Sequence, residues 1–401
     1  MATFSKAHFR IAPVILRLLP IILTACVFRP PVDNVTTLSP QSGQLLFSAY
    51  SLGIPEIDSA RAAGFTAIGP YYGKDKSYAL RQSDRAGLPL IYSVGPKINF
   101  EKSDPALDSA QLQLIANEVR EASKNLNISI WNIRNEELRH WKSRELDWLE
   151  NISSTIRAND PKKRPVMMYE PNHRRSKDLV ITGQYLDLIS KGAYTNHVGM
   201  KDNRSWVRWS VEQTTAAADF TGATPVAVLW MARDQRTRKD VASIERWVKH
   251  DIYLSLISGA EGILIYSGFN KRRGFHRHFS EFYSAYSTAA WQLNGPLNLG
   301  QIFLHGAHVD DITISIIDGP TRQQFSYHKE QIDYSSVHSM RRRFADHNWL
   351  FMVNSANEPV TVAVTGLPNN KQIFNVFTDE PMARSSGMLI QALEVKALRW
   401  K

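Results

Sequence analysis

Between residues 45 and 269, short apolar runs alternate with loops rich in polar, Gly or Pro residues and with longer helix-like stretches. The runs occupy 45–53, 65–73, 88–96, 128–136, 164–172, 186–194, 224–232 and 261–269. Each is largely β-branched and aromatic, as expected of a strand covered on both faces. The intervening segments include helix-like stretches over Leu112–Lys124 and Arg144–Ala158, the second stopped by the DPKKRP that precedes the fifth run. Eight strand–helix units predict an α/β fold, a closed (β/α)8 barrel over residues 44–300. An open doubly wound sheet is the competing arrangement. No Gly-rich phosphate loop follows the first run, which weakens a nucleotide-binding version of that sheet.

After the eighth run, FSEFYSAYSTAAWQLNGPLNLG reads as a closing helix, and the pattern then changes. DITISIID, NWLFMVNSANEPVTVAVTGLP, QIFNVFT and MLIQALEVKALRW alternate apolar and polar positions, with turn residues at Asn354–Pro359 and at Asn369 and Asn370. This period of two predicts a small antiparallel β-sandwich over residues 303–401.

The start of the chain obeys neither pattern. Lys6, Arg10 and Arg17 precede an apolar stretch that ends in small residues and holds Cys26, the one cysteine among 401 residues. A basic leader before a short greasy segment is the layout of an export signal. Leu23-Thr24-Ala25-Cys26 resembles a bacterial lipobox. That resemblance implies a signal peptide over 1–25, a lipid on Cys26, and a Pro- and Ser-containing tether over 26–43. Val27 after the cysteine then implies the outer membrane of the cell envelope, with the periplasmic or surface side left open. The alternative is an ordinary exported protein cut nearby, with Cys26 incidental.

The composition, 43% hydrophobic with a net charge of +10, describes a globular and basic chain. Such a charge favours an anionic partner. An export signal and the lack of a recognisable nucleic-acid module argue against nucleic acid.

In a barrel, chemistry sits where the strands end and the βα loops converge. The fourth run ends WNIRNEELRHW, and Asn135-Glu136 there resembles the Asn-Glu signature of the large barrel clan of retaining glycoside hydrolases. The resemblance extends to IRANDPKKRPV, to LSLISGAEGILIYS and to the C-terminal sandwich, about residues 44–401. It implies that Glu136 is the general acid/base and that Asn135 binds a sugar hydroxyl. Cleaving a glycosidic bond needs one carboxylic acid for the leaving oxygen and a second carboxylate to attack or to activate water. A plainer role for Glu136 is that of an acidic residue in the first turn of the next helix.

The second carboxylate departs from the clan's pattern. Where it expects Glu at the end of the seventh strand, the chain reads VAVLWMARDQRTRKD, with Trp230 and Met231. Glu170 or Asp234 is the candidate replacement. Inversion with a more distant base, or lost hydrolysis leaving a glycan-binding protein, stays open. Trp131, Tyr169, Tyr194 and Trp230 are candidate sugar-stacking faces or packing residues. The loops after the fifth, seventh and eighth runs carry Arg174, Arg175, Arg233, Arg236, Arg272, Arg273 and Arg277. On one rim these arginines would hold an acidic polysaccharide, or else be solvated surface. A polysaccharide lyase, with Arg neutralising a uronate and Tyr or His as base, is a third possibility. His276 and His278 are weak metal candidates, and neither a metal nor a cofactor is expected.

Overall fold

The computed structural model describes residues 43–71, 76–98, 100, 108–136, 138–195, 200, 203–231, 241–268, 278–382 and 387–401. Parallel strands β1 (Leu46–Ala49), β2 (Leu90–Val94), β3 (Ile128–Ile133), β4 (Val166–Glu170), β5 (Leu188–Gly192), β6 (Thr224–Trp230) and β7 (Gly262–Tyr266) form a curled sheet of order β1-β7-β6-β5-β4-β3-β2. Its two edges are joined by residues 66–69. Thr66 and Gly69 donate their N–H groups to Phe47 and Ala49 of β1 (3.0 and 3.2 Å), while Ile68 donates to Pro89 (2.8 Å) and accepts from Ile91 (2.9 Å). That segment is the eighth stave, and the architecture is the expected (β/α)8-type barrel.

The segment corrects the prediction of a regular strand over 65–73, because among the described residues of that run only Ile68 forms a ladder bridge, to Leu90. Pro70 has no N–H to donate. Gly69 lies at φ +94, where a Cβ would come within 2.7 Å of the Ile91 carbonyl. Gly69 still donates to Ala49 and Pro70 accepts from Ser51 (3.0 Å), so the segment stays hydrogen-bonded to β1 without forming a regular ladder.

Helices α1 (Ile54–Ala60), α2 (Lys76–Ala86), α3 (Ser109–Ala122), α4 (Ser143–Asn159), α5 (Ser176–Gly183), α6 (Ser205–Thr221), α7 (Ile244–Ile257), α8 (Phe279–Asn294) and α9 (Leu299–His305) follow in chain order. Asp108 and Gln111 close a capping box at the start of α3. At the end of α4, Asp160 donates its N–H to Ile156 and accepts from Trp131 Nε1 (2.9 Å) and Arg164 (2.8 Å) with its buried carboxylate. The DPKKRP turn is thus a structural clasp between α4, β3 and β4.

The remaining strands are antiparallel. β8 (Ala307–His308), β12 (Val337–Phe344), β13 (His347–Asn354), β15 (Phe374–Asn375) and β17 (Val395–Trp400) form one sheet. β9 (Thr313–Asp318), β14 (Val360–Thr365) and β16 (Met388–Ile390) form a second. Leu350, Met352, Val362 and Leu398 are among the residues packed between them. The hairpin of β10 (Arg322–Tyr327) and β11 (Glu330–Ser335) reaches back to the barrel, where Phe325 and Tyr327 pack on Trp206 and Trp209 of α6. A polar seam binds the two parts as well: buried His250 of α7 hydrogen-bonds Asp251 (2.8 Å) and Ser355 after β13 (2.9 Å). Among the described residues no helix is long and apolar enough to cross a membrane.

Candidate functional site

Alternation along the strands decides which side chains line the barrel. Leu46, Ile91, Ile130, Met167, Leu188 and Leu264 share one inner cluster, while Phe47, Trp131, Val166, Met168 and Ile265 pack outward among the helices. Counting by twos toward the strand ends, Tyr50, Tyr169, Trp230 and Tyr266 join the inner cluster at its mouth, together with Tyr194 just past β5. Tyr50 and Tyr194 are buried, whereas Tyr169, Trp230 and Tyr266 are half-buried.

These rings touch one another. Tyr169 lies nearly parallel to Tyr194 (centroids 6.2 Å, 15°), and Tyr194 meets Trp230 at 5.5 Å and Tyr266 at 6.2 Å. Tyr50 meets Tyr266 edge-on at 5.6 Å. Gly192 makes the arrangement possible, because a Cβ there would lie 2.5 Å from the Tyr169 hydroxyl. Asn172 fixes Tyr194 from behind, accepting from its N–H (3.1 Å) and donating to its carbonyl (2.7 Å). Burial, and then the phenols of Tyr169 and Tyr50, push the Tyr194 hydroxyl well above its ordinary range. It therefore stays protonated near neutral pH, able to donate a hydrogen bond rather than to take up a proton.

The carboxylates are placed differently from the expectation. Glu136 stands past the end of β3, with its side chain 42% exposed and Lys97 Nζ at 3.5 Å. Because α4 begins only at Ser143, Glu136 is not a first-turn residue of that helix. Glu170 is corrected as a cleft candidate. Parity with Val166 and Met168 turns it outward, where it is fully buried in an ion pair with Arg174. Burial holds its carboxyl above the usual range, against the pull of Arg174. Lys191, its register partner on β5, is buried beside it and lowered by the same desolvation. Asp234 lies outside the described residues.

Other predicted contacts are also corrected. Trp131 is not a stacking face; it is fully buried on the outer side of β3, edge-on to Tyr92 at 5.5 Å. Asn135 is buried, and its amide is committed to the backbone of Ile98, accepting from the N–H and donating to the carbonyl, each at 2.9 Å. Arg174 is spent on Glu170, and Arg175 pairs with Glu330 of the hairpin (2.5 Å). Arg272, Arg273 and Cys26 lie outside the described residues. Among the described residues no group of three or more His, Cys, Asp or Glu could hold a metal ion.

Three features escaped the sequence reading. Tyr50 and Tyr266 sit inside near-continuous apolar runs, and the period of two within those runs is the signal that reveals them. Trp141, on the loop between β3 and α4, is 66% exposed and braced edge-on by His140 at 4.9 Å. His140 is held in turn by Asp178 of α5 at 3.1 Å.

The architecture is that of a (β/α)8-type barrel followed by antiparallel sheets. Among solved structures the chain is similar to a family 39 glycoside hydrolase from the gut symbiont Bacteroides cellulosilyticus, at 12% identity, with 88% of this chain and 80% of that one covered and a TM-score of 0.55. It is also similar to a family 5 glycoside hydrolase from Bacteroides vulgatus, at 12% identity over 89% of each chain, with a TM-score of 0.54. An alpha-amylase from Geobacillus thermoleovorans, solved with acarbose, matches at 10% identity over 90% of this chain and 98% of its own, with a TM-score of 0.51. At such identities the likeness defines the fold and not the activity. No family model matches the sequence, and no curated protein matches it.

Proposed function

We propose that this protein binds an oligosaccharide across the C-terminal mouth of its barrel and recognises it without the carboxylate pair of a hydrolase. The observation that carries this reading is the mouth itself. Tyr169, Trp230 and Tyr266 present part of their rings there, backed by buried Tyr194 and Tyr50. Aromatic faces of this kind accept the C–H-rich faces of pyranose rings, and a wall of packed rings keeps them preorganised. Solved neighbours are carbohydrate-active, one of them with acarbose bound, which supports a sugar ligand. Among the described residues, Glu136 is the acid at the strand ends of this face. Its charged neighbour is Lys97 rather than a second carboxylate.

Hydrolysis is the second reading, favoured by the exposure of Glu136 at the end of β3, and it needs Asp234 as the partner carboxylate. Incubation with glycan panels followed by reducing-end analysis separates the two. Recognition alone leaves the glycan intact, with Glu136→Gln binding as wild type does within about threefold, since the amide keeps the shape of the acid. Steady release of reducing ends by the wild type, lost by several orders of magnitude in Glu136→Gln, would instead establish the hydrolase.

The lipobox-like stretch supports placing this activity at the cell envelope, with Cys26 as lipid anchor and the outer membrane as the site. Cys26→Ser is expected to move the protein from the membrane fraction to a soluble or unprocessed form. Unchanged lipid labelling of that variant would exclude the anchor.

A further inference from the structure

Among the described residues, the arginine at the mouth of β3, Arg134, has no ion-pair partner. Alternation turns Ile130 and Asn132 into the lumen, and Arg134 continues the same face where the strand ends. Its side chain is half-buried, its Nε is buried without a hydrogen bond, and it forms no ion pair with any described residue. Below it, Asn132 is fully buried. It donates from Nδ2 to Ser93 Oγ at 3.3 Å and leaves Oδ1 without a partner. Nearby cations are differently placed: Lys97 has Glu136, Arg139 has Glu145, Arg174 has Glu170 and Arg175 has Glu330.

A guanidinium partly withdrawn from water without a counter-charge is unfavourable, and so is a buried amide oxygen with nothing to accept. Two such groups on one wall of the lumen describe a polar site whose missing partners come from outside the chain. The guanidinium is planar and donates in a fork, so the anion it suits best is a carboxylate. Asn132 Oδ1 suits a hydroxyl donor, either from the sugar or from a water bridging to one.

We propose that Arg134 reads the carboxylate of an acidic sugar unit, so that the glycan taken by this mouth carries uronic acids. The inference rests on the carbohydrate reading above and deepens it. It places a contact for the anion on the lumen wall, whereas Arg174 and Arg175, the described arginines of the rim, are engaged by carboxylates of the protein's own chain.

The test is titration of the detergent-solubilised full chain with an oligogalacturonate, a sulfated oligosaccharide and a neutral xylo-oligosaccharide of equal length, at low salt. The expected result is a preference of about tenfold or more for the oligogalacturonate over the neutral glycan, the scale of a charge-assisted contact. Arg134→Gln should bring that ratio close to one, and Arg134→Lys should fall between, keeping the charge but losing the fork. Equal melting temperatures of the three proteins would tie the change to recognition. A wild-type ratio near one, a ratio unmoved by Arg134→Gln, or tighter binding of the sulfated glycan would overturn the assignment. Failure of all three glycans to bind would instead remove the carbohydrate reading on which it stands.

Discussion

Replacing Arg174 with Met should cost about 3–5 kcal/mol of folding stability, the range for breaking a buried ion pair by removing one partner. Arg174 and Glu170 are both almost wholly inaccessible and lie between β4 and the helix layer. The variant leaves the Glu170 carboxyl facing Thr182 and Lys191, the latter itself depressed by burial. The sign of the pH dependence follows. Burial already raises the folded-state value of Glu170, so its contribution is fully present below the ordinary carboxylate range and lost as pH rises through the folded value. Without Arg174 the carboxyl is raised further. The deficit relative to wild type should therefore widen between about pH 5 and about pH 8, as the unfolded chain ionises Glu170 and the folded one resists. Urea unfolding of both proteins at the two pH values measures this. A loss below about 1 kcal/mol, or a deficit larger in acid, would show that the network is not what holds this corner. Glu170→Gln combined with Arg174→Met should recover part of the loss, because it removes the stranded charge.

The same corner explains what could be read from the sequence and what could not. The strand–helix rhythm is legible because strands covered on both faces need apolar side chains at nearly every position. That continuity also hides the inner and outer sets. In VMMYE of β4, Tyr169 and Glu170 are neighbours, yet one faces the lumen and the other the helices. Choosing Glu170 as a cleft carboxylate requires the parity of the strand, and parity becomes visible only when Met167 is seen to share a cluster with Leu46 and Ile130. Trp131 failed for the same reason. Asn135 failed for another: its amide is used by Ile98, a backbone partner that no side-chain pattern records. The irregular stave at residues 66–69, by contrast, carried its warning openly in Gly69-Pro70, residues unsuited to a regular ladder.

Parity also defines the test with the greatest consequence for function. Trp230 occupies the inward position at the end of β6, packed with the inner cluster at the mouth. Trp230→Ala should weaken oligosaccharide binding by about thirtyfold, the effect of truncating a central aromatic contact worth about 2 kcal/mol. Trp230→Phe keeps an aromatic face and should lose only about threefold. The fold should tolerate both changes. The ring is half-buried at the mouth, and the nearby hydrogen bond from Tyr286 goes to the Trp230 carbonyl rather than to the indole. Trp131→Phe makes the opposite case. It removes the bond from Nε1 to Asp160 on the outside of the barrel, so it should lower stability and leave glycan affinity unchanged. Calorimetric titration of the three variants, with melting curves alongside, distinguishes a lumenal wall from an outer core residue. Should Trp230→Ala bind as tightly as wild type, the aromatic mouth is packing rather than a recognition surface. The search for a ligand would then move to the exposed indole of Trp141 on the loop after β3.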